Sequence, residues 1–272
     1  MIPTDDERSD LGEPTLAPPE PDRDIFGHTP RDRPDWSHRR GEPRFLALAW
    51  TVFLLLATLA AFATVGTGGA GNVDAYRPAA RGLLVTVAIG VSLLWPMMRL
   101  AQAVPSGGLR GCTAATMRDL VVILVPIQAV IWPQALLARW PLDAVAAIAA
   151  CFTVWTVLVG GVLAFCLGCG GRVEGNKWRW WAMLGVAFIV NVVPAIGVVW
   201  ASLAPLARPR GPWMMASPMT AIVELTLDRS WRGRSLEVDG THWRAIIIVG
   251  GVAGAVWVPL VAAALARRPA TG

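Results

Sequence analysis

The chain has 272 residues, of which 54% are hydrophobic and only 16% charged, and its mean hydropathy is +0.50. A soluble globular domain carries about a quarter charged residues, so this composition excludes an ordinary soluble fold and predicts an all-α, polytopic membrane protein. The net charge of +5 does not imply nucleic acid. The basic residues, nearly all Arg with Lys177 the only lysine, stand singly between apolar segments and not along one face, which is a topological pattern.

Charge and proline concentrate at the start. Residues 1–44 hold 11 of the 19 acids, 7 of the 24 basic residues and eight of the 21 prolines. Too little apolar area is available there to offset the entropy of ordering, and the stretch reads as a disordered cytoplasmic tail. No apolar core of a secretory signal lies near Met1, so none is expected to be cleaved. Trp36 with Arg39, Arg40 and Arg44 is placed to lie against anionic lipid, although a solvated tail with stop-transfer charges is the simpler reading.

From residue 45 onward, six windows approach or exceed the roughly 20 apolar residues a spanning helix needs. They are 45–65, 83–103, 120–138, 144–167, 180–206 and 245–266, the second reaching 103 if Arg99 snorkels. Tryptophans such as Trp140, Trp178, Trp180, Trp213 and Trp243 flank them, as in an interfacial aromatic belt. With the N-terminus inside, the cytoplasmic flanks and loops carry eleven basic residues (Arg39, Arg40, Arg44, Arg99, Arg110, Arg118, Arg172, Lys177, Arg179, Arg267, Arg268). The short outer loops carry three, Arg77, Arg81 and Arg139. Both termini are therefore expected in the cytoplasm of a cell with the chain in its inner membrane, although the loop 207–244, on the outer side, holds six further arginines.

The chemistry inside these windows is sparse. None contains an ionisable residue in its core, which removes the usual parts of proton relays and ion-coupled carriers. The histidines are His28, His38 and His242, a set that builds neither a metal-binding helix nor an intramembrane Ser-His pair. Cys166-x-x-Cys169 lacks a second pair or a nearby His, and reads as small-residue packing. Gly170 to Lys177 has two glycines at phosphate-loop spacing, but Asn176 stands where Lys is required. No cofactor and no metal are expected. Gln128, Gln134 and Asn191 lie at depth as interhelical hydrogen-bonding groups or, alternatively, as the lining of a pathway. Gly250-x-x-x-Gly254 and Gly160, Gly161 and Ala164 suit close helix packing within the subunit, with a homodimer as the other use.

Between the fifth and sixth windows, residues 213–229 are apolar yet too short and too charged to cross. Ser217 can cap a helix that opens with Pro218, and Glu224 and Asp228, at i and i+4, would share its polar edge. The expectation is a short interfacial or re-entrant helix over 217–229. At Ser217-Pro218-Met219, Ile222-Val223-Glu224 and Arg229 the sequence resembles the permease subunits of type-2 ATP-binding-cassette exporters, with Ser for the more usual Asn and Arg229 later than usual. The resemblance implies six helices, cytoplasmic termini, a re-entrant segment between helices five and six, and a separate ATP-binding subunit. It also implies a coupling loop, here carrying Arg110, Arg118 and Asp119, although 99–118 lacks the Glu-Arg-Glu-like stretch many such permeases place there. A non-transporting scaffold or assembly protein of an envelope complex, binding partners through its tail, is the alternative. A membrane enzyme on lipid-linked substrates ranks third, on the titratable cluster Glu224, Asp228, Asp239 and His242.

Overall fold

A computed structural model describes residues 43–65, 73–102, 104–105, 107–169, 177–192, 195–196, 212–227, 236 and 238–266, and every regular element among them is a helix. The chain divides into two units, Met1–His38 and Arg39–Gly272. The first lies outside the described residues, and with it the expectation of a disordered tail. The α-helices are α1 (Pro43–Val65), α2 (Val73–Ile89), α3 (Trp95–Leu100), α4 (Gly108–Ile131), α5 (Gln134–Leu137), α6 (Leu142–Cys169), α7 (Lys177–Ala187), α8 (Pro218–Leu225) and α9 (Gly240–Ala266). A π segment, Gly90–Leu94, joins α2 to α3; another, Phe188–Val192, continues α7; a 3-10 turn, Pro212–Ala216, leads into α8.

Five helical stretches are long and apolar enough to cross a membrane: Phe45–Ala63, Ala75–Leu100, Gly108–Leu137, Leu142–Gly168 and Gly240–Ala266. Helices satisfy their own backbone polar groups, which hydrocarbon cannot, and the protein is a multi-pass helical membrane protein. Trp180–Val192 is a shorter apolar helix. The expected span 180–206 is thus described chiefly in its first half.

Two boundaries differ from the sequence reading. The second stretch begins its helix at Val73, not at 83, and the third at Gly108, not at 120. Hydropathy closes both windows at charged residues that the fold accommodates within helices. Arg77 donates through Nε to the Ala138 carbonyl at 3.1 Å, Arg81 donates to Thr226, and Asp119 pairs with Arg99. These groups lie outside the cores of the six windows, in which no ionisable residue was expected. Arg99 also does not snorkel: it is 6% exposed and turned inward.

The stretches Ala75–Leu100 and Leu142–Gly168 have 61% of their apolar windows buried, against 17% for Phe45–Ala63 and 22% for Gly240–Ala266. The α2–α3 rod and α6 therefore form the centre, and α1, α4 and α9 surround them. Trp50, Trp95, Ile127 and Phe152 fill the space between, while Leu48, Leu55 and Leu59 on α1 and Ile247, Val258 and Leu265 on α9 face outward, as lipid contact requires. Close approach of α6 to α9 depends on Gly161, where a Cβ would lie 2.8 Å from Val256 and 3.0 Å from the Trp257 indole nitrogen. That nitrogen donates to the Val157 carbonyl at 2.7 Å. Gly250 meets Val154 of α6, whereas Gly254 has nothing within 4 Å, so one glycine of the pair serves packing within the subunit.

The connections fix direction. Residues 101–107 return α3 into α4 through Gly107 and Gly108, at φ +91° and +60°, a left-handed region that glycine enters without steric cost. Ala138 to Pro141 return α5 into α6. One end of the bundle thus gathers the start of α2, α5, the start of α6, all of α8 and the start of α9; the opposite end carries the α3–α4 turn.

Candidate functional site at the α8 end of the bundle

Proline pre-sets the backbone of a first helical residue and has no N–H to leave unpaired; Pro218 holds that position in α8, after Ser217 in extended conformation (φ −140°, ψ 144°). The cap is a backbone one: the Ser217 carbonyl accepts from Ala221 at 2.9 Å, while its buried hydroxyl makes no hydrogen bond among the described residues. Thr220 instead ties the helix to the preceding turn, its hydroxyl donating to the Met214 carbonyl at 2.5 Å. Pro218, Ala221, Ile222 and Leu225 are buried against α2, α6 and the 3-10 turn.

At the other end of α8, the Arg81 guanidinium closes the helix. Its Nε donates to the Thr226 hydroxyl at 3.0 Å and its Nη2 to the Thr226 carbonyl. A cation at a helix C-terminus is favourable to the exposed carbonyls there, and the two-pronged contact fixes α8 to α2.

Glu224, 7% exposed, faces α9. Its Oε1 lies 3.7 Å from Nε2 of His242, and Nδ1 of His242 lies 2.7 Å from Oδ1 of Asp239. Asp239 is itself the N-cap of α9, since Oδ1 accepts from the Thr241 hydroxyl at 2.6 Å, the Thr241 amide at 2.9 Å and the His242 amide at 3.1 Å. The Thr241 hydroxyl foremost, with the His242 amide and imidazole, holds the Asp239 carboxyl down at about 2 against partial desolvation. Three of the four titratable residues grouped from sequence are thus brought into one chain, and the fourth, Asp228, lies outside the described residues, as does Arg229. Ser217 and Thr220 do not bond to His242, so neither forms a nucleophile–base pair with it. Among the described residues no group of three His, Cys, Asp or Glu side chains is placed to hold a metal ion.

The coupling candidates separate. Arg110 and Arg118 are exposed on α4, whereas Asp119 is buried and takes Arg99 at 3.1 Å; Arg99 also donates to Gln102 at 2.6 Å. The intramembrane amides each find partners. Gln128 donates to Thr153 of α6 at 3.2 Å and accepts from Trp132 at 3.1 Å. Gln134 accepts from the Tyr76 hydroxyl at 3.1 Å. Asn191 meets Ser92 at 3.0 Å and donates to the Ala187 carbonyl at 2.9 Å. Ser92 and Asn191 each occupy a π segment, and Ser92 lines a groove of about 450 Å³ between α3 and α7 with Pro96, Met97, Trp180 and Leu184.

Ser92 and Tyr76 were not singled out from sequence, and Arg81 and Arg99 were named there only as topological charges. The signal for Arg81 was present in Ala79, Ala80, Leu83 and Leu84, whose spacing continues the helix past the charge. Asp239-x-Thr241-His242 likewise carries the Asp cap of a helix start. No protein-family model, curated protein or solved structure matches the chain.

Proposed function

We propose that this chain is the membrane-spanning subunit of an export system driven by a separate ATP-hydrolysing chain, with six crossings and both termini in the cytoplasm of the inner membrane. The observation that carries the reading is α8. A helix of eight residues rises about 12 Å, against a hydrocarbon core of about 30 Å. It lies between the short apolar helix Trp180–Val192 and α9, the position and form the sequence resemblance implies for a re-entrant segment that closes the outer mouth of an exporter.

The opposite end suits a coupling role. Asp119 stands level with Arg99 through their ion pair, so about 16 Å of α4, from Gly108 onward, extends past that level at 1.5 Å per residue. Arg110 lies on this extension, with Arg118 at its base, both exposed. Such a helix end can seat in a groove of a soluble partner and transmit its motion. Asp119 then belongs to the frame and not to the contact surface. Two copies would complete the pathway, and lipid surrounds the rest.

Purification of the tagged chain in mild detergent tests the proposal. An ATP-hydrolysing chain should copurify, and Arg110→Glu with Arg118→Glu should release it while the membrane chain stays folded. Recovery of the chain without any ATPase overturns the exporter reading. Recovery with an envelope complex that is lost on deleting residues 1–35 supports the scaffold alternative.

A further inference from the structure

We infer that His242 is a proton-operated latch between α8 and α9. The imidazole is 6% exposed and sits between two carboxylates, with Nε2 3.7 Å from Glu224 of α8 and Nδ1 2.7 Å from Asp239 of the turn before α9. Neither neutral tautomer satisfies this setting. With the proton on Nδ1, the bond to Asp239 forms and the Nε2 lone pair faces the Glu224 carboxylate. With the proton on Nε2, that N–H is turned toward Glu224 at 3.7 Å, the Asp239 amide can donate to Nδ1 at 3.2 Å, and the Nδ1 lone pair is pressed against Asp239 Oδ1. Only the imidazolium, a donor at both nitrogens, serves both acids. Protonation therefore fastens α8 to α9, and its loss removes the positive charge beside buried Glu224, turns a lone pair toward one of the two carboxylates, and loosens the short helix.

Among the described residues, charged groups on the neighbouring elements have partners of their own or face outward. From α2, Arg81 holds Thr226 and Arg77 holds the Ala138 carbonyl. From α6, Asp143 accepts from the Ala144 amide at 2.9 Å. The described side chains of the 3-10 turn, Met214, Met215 and Ala216, carry no charge, and Arg244 on α9 itself is exposed. Histidine changes charge between about pH 5 and 8, so the latch responds to the acidity of the compartment that bathes this end. Ser217 to Thr226 would be held shut under acid conditions and freed under alkaline ones. The inference does not depend on what the chain transports or assembles.

Hydrogen–deuterium exchange on the full chain in lipid nanodiscs tests it, with rates corrected for intrinsic exchange. Protection of residues 218–226 should be about tenfold higher at about pH 5.5 than at about pH 8, with no such change over the start of α6. His242→Gln and Glu224→Gln should each abolish the difference. Equal protection at both pH values in the wild type, or a difference that survives His242→Gln, overturns the latch. Should the variants not fold, the ¹⁵N signal of the His242 imidazole decides: its titration midpoint must coincide with that of the exchange protection, and separate midpoints refute the inference.

Discussion

Nε of Arg99 lies 3.1 Å from Oδ2 of Asp119, both side chains more than nine-tenths buried, across the turn that reverses α3 into α4. Removing one partner of a buried pair strands the other charge, which costs about 3–5 kcal/mol, whereas replacing both with apolar residues of similar size is often neutral. Asp119→Ala and Arg99→Ala should each lower the thermal midpoint in detergent steeply, and Arg99→Met with Asp119→Leu should recover most of the loss. Equal and additive losses in the double variant would show that the two side chains do not act on one another.

Arg81 makes a two-pronged contact at the end of α8, to the hydroxyl and carbonyl of Thr226. A lysine ammonium is a point charge on a flexible stem and cannot reproduce a planar fork. Arg81→Lys should therefore loosen α8 nearly as much as Arg81→Ala, read as faster proteolysis between residues 212 and 227 with the remaining helices intact. Full protection in Arg81→Lys would mean that charge alone suffices.

Much of this architecture was legible in hydropathy. The windows 45–65, 144–167 and 245–266 fall within α1, α6 and α9 because nothing charged interrupts them. The windows that began late, at 83 and 120, did so because a hydropathy sum treats Arg77, Arg81 and Asp119 as ends. Only tertiary structure reveals that the Ala138 carbonyl, Thr226 and Arg99 receive them. Ser217 and Pro218 marked the start of α8 correctly, since that signal is local. The grouping of Glu224 with Asp239 and His242 near one surface was legible, but the direct approach of Glu224 to His242 was not, because no short-range rule governs how α8 turns toward α9.

Gly161 and Gly254 give opposite expectations. A side chain at Gly161 would collide with Val256 and Trp257, while one at Gly254 meets open space within the chain. Gly161→Val should cost a few kcal/mol by forcing α6 from α9 and breaking the Trp257 bond to Val157. Gly254→Val should leave the monomer's thermal midpoint unchanged. If Gly254→Val instead converts a dimer to monomers on analytical ultracentrifugation, that face joins two copies.

Asp239 caps α9 with its carboxyl held at about 2, below the ordinary value of about 3.9. A depressed carboxylate adds stability that is present above about pH 4 and is lost as pH falls through about 2. The stability difference between wild type and Asp239→Ala should accordingly shrink between pH 4 and 2, followed by acid unfolding monitored through tryptophan fluorescence. This window lies below the ordinary range of histidine, so the loss reports the titration of Asp239, both in its cap of α9 and in its contact with His242. A difference that stays constant to pH 2 would refute the cap's electrostatic part.

The most direct measurement is side-specific labelling of single cysteines placed at Val104, in the α3–α4 turn, at Arg139, before α6, and at Leu227, after α8. Six crossings with α8 as a non-crossing helix require Arg139 and Leu227 on one side and Val104 on the other. An impermeant thiol reagent applied to intact cells should label the cysteines at 139 and 227, and the cysteine at 104 only after the membrane is opened. Labelling of 104 and 227 from the same side would contradict the arrangement, and with it the proposal that α8 closes the outer mouth of an exporter.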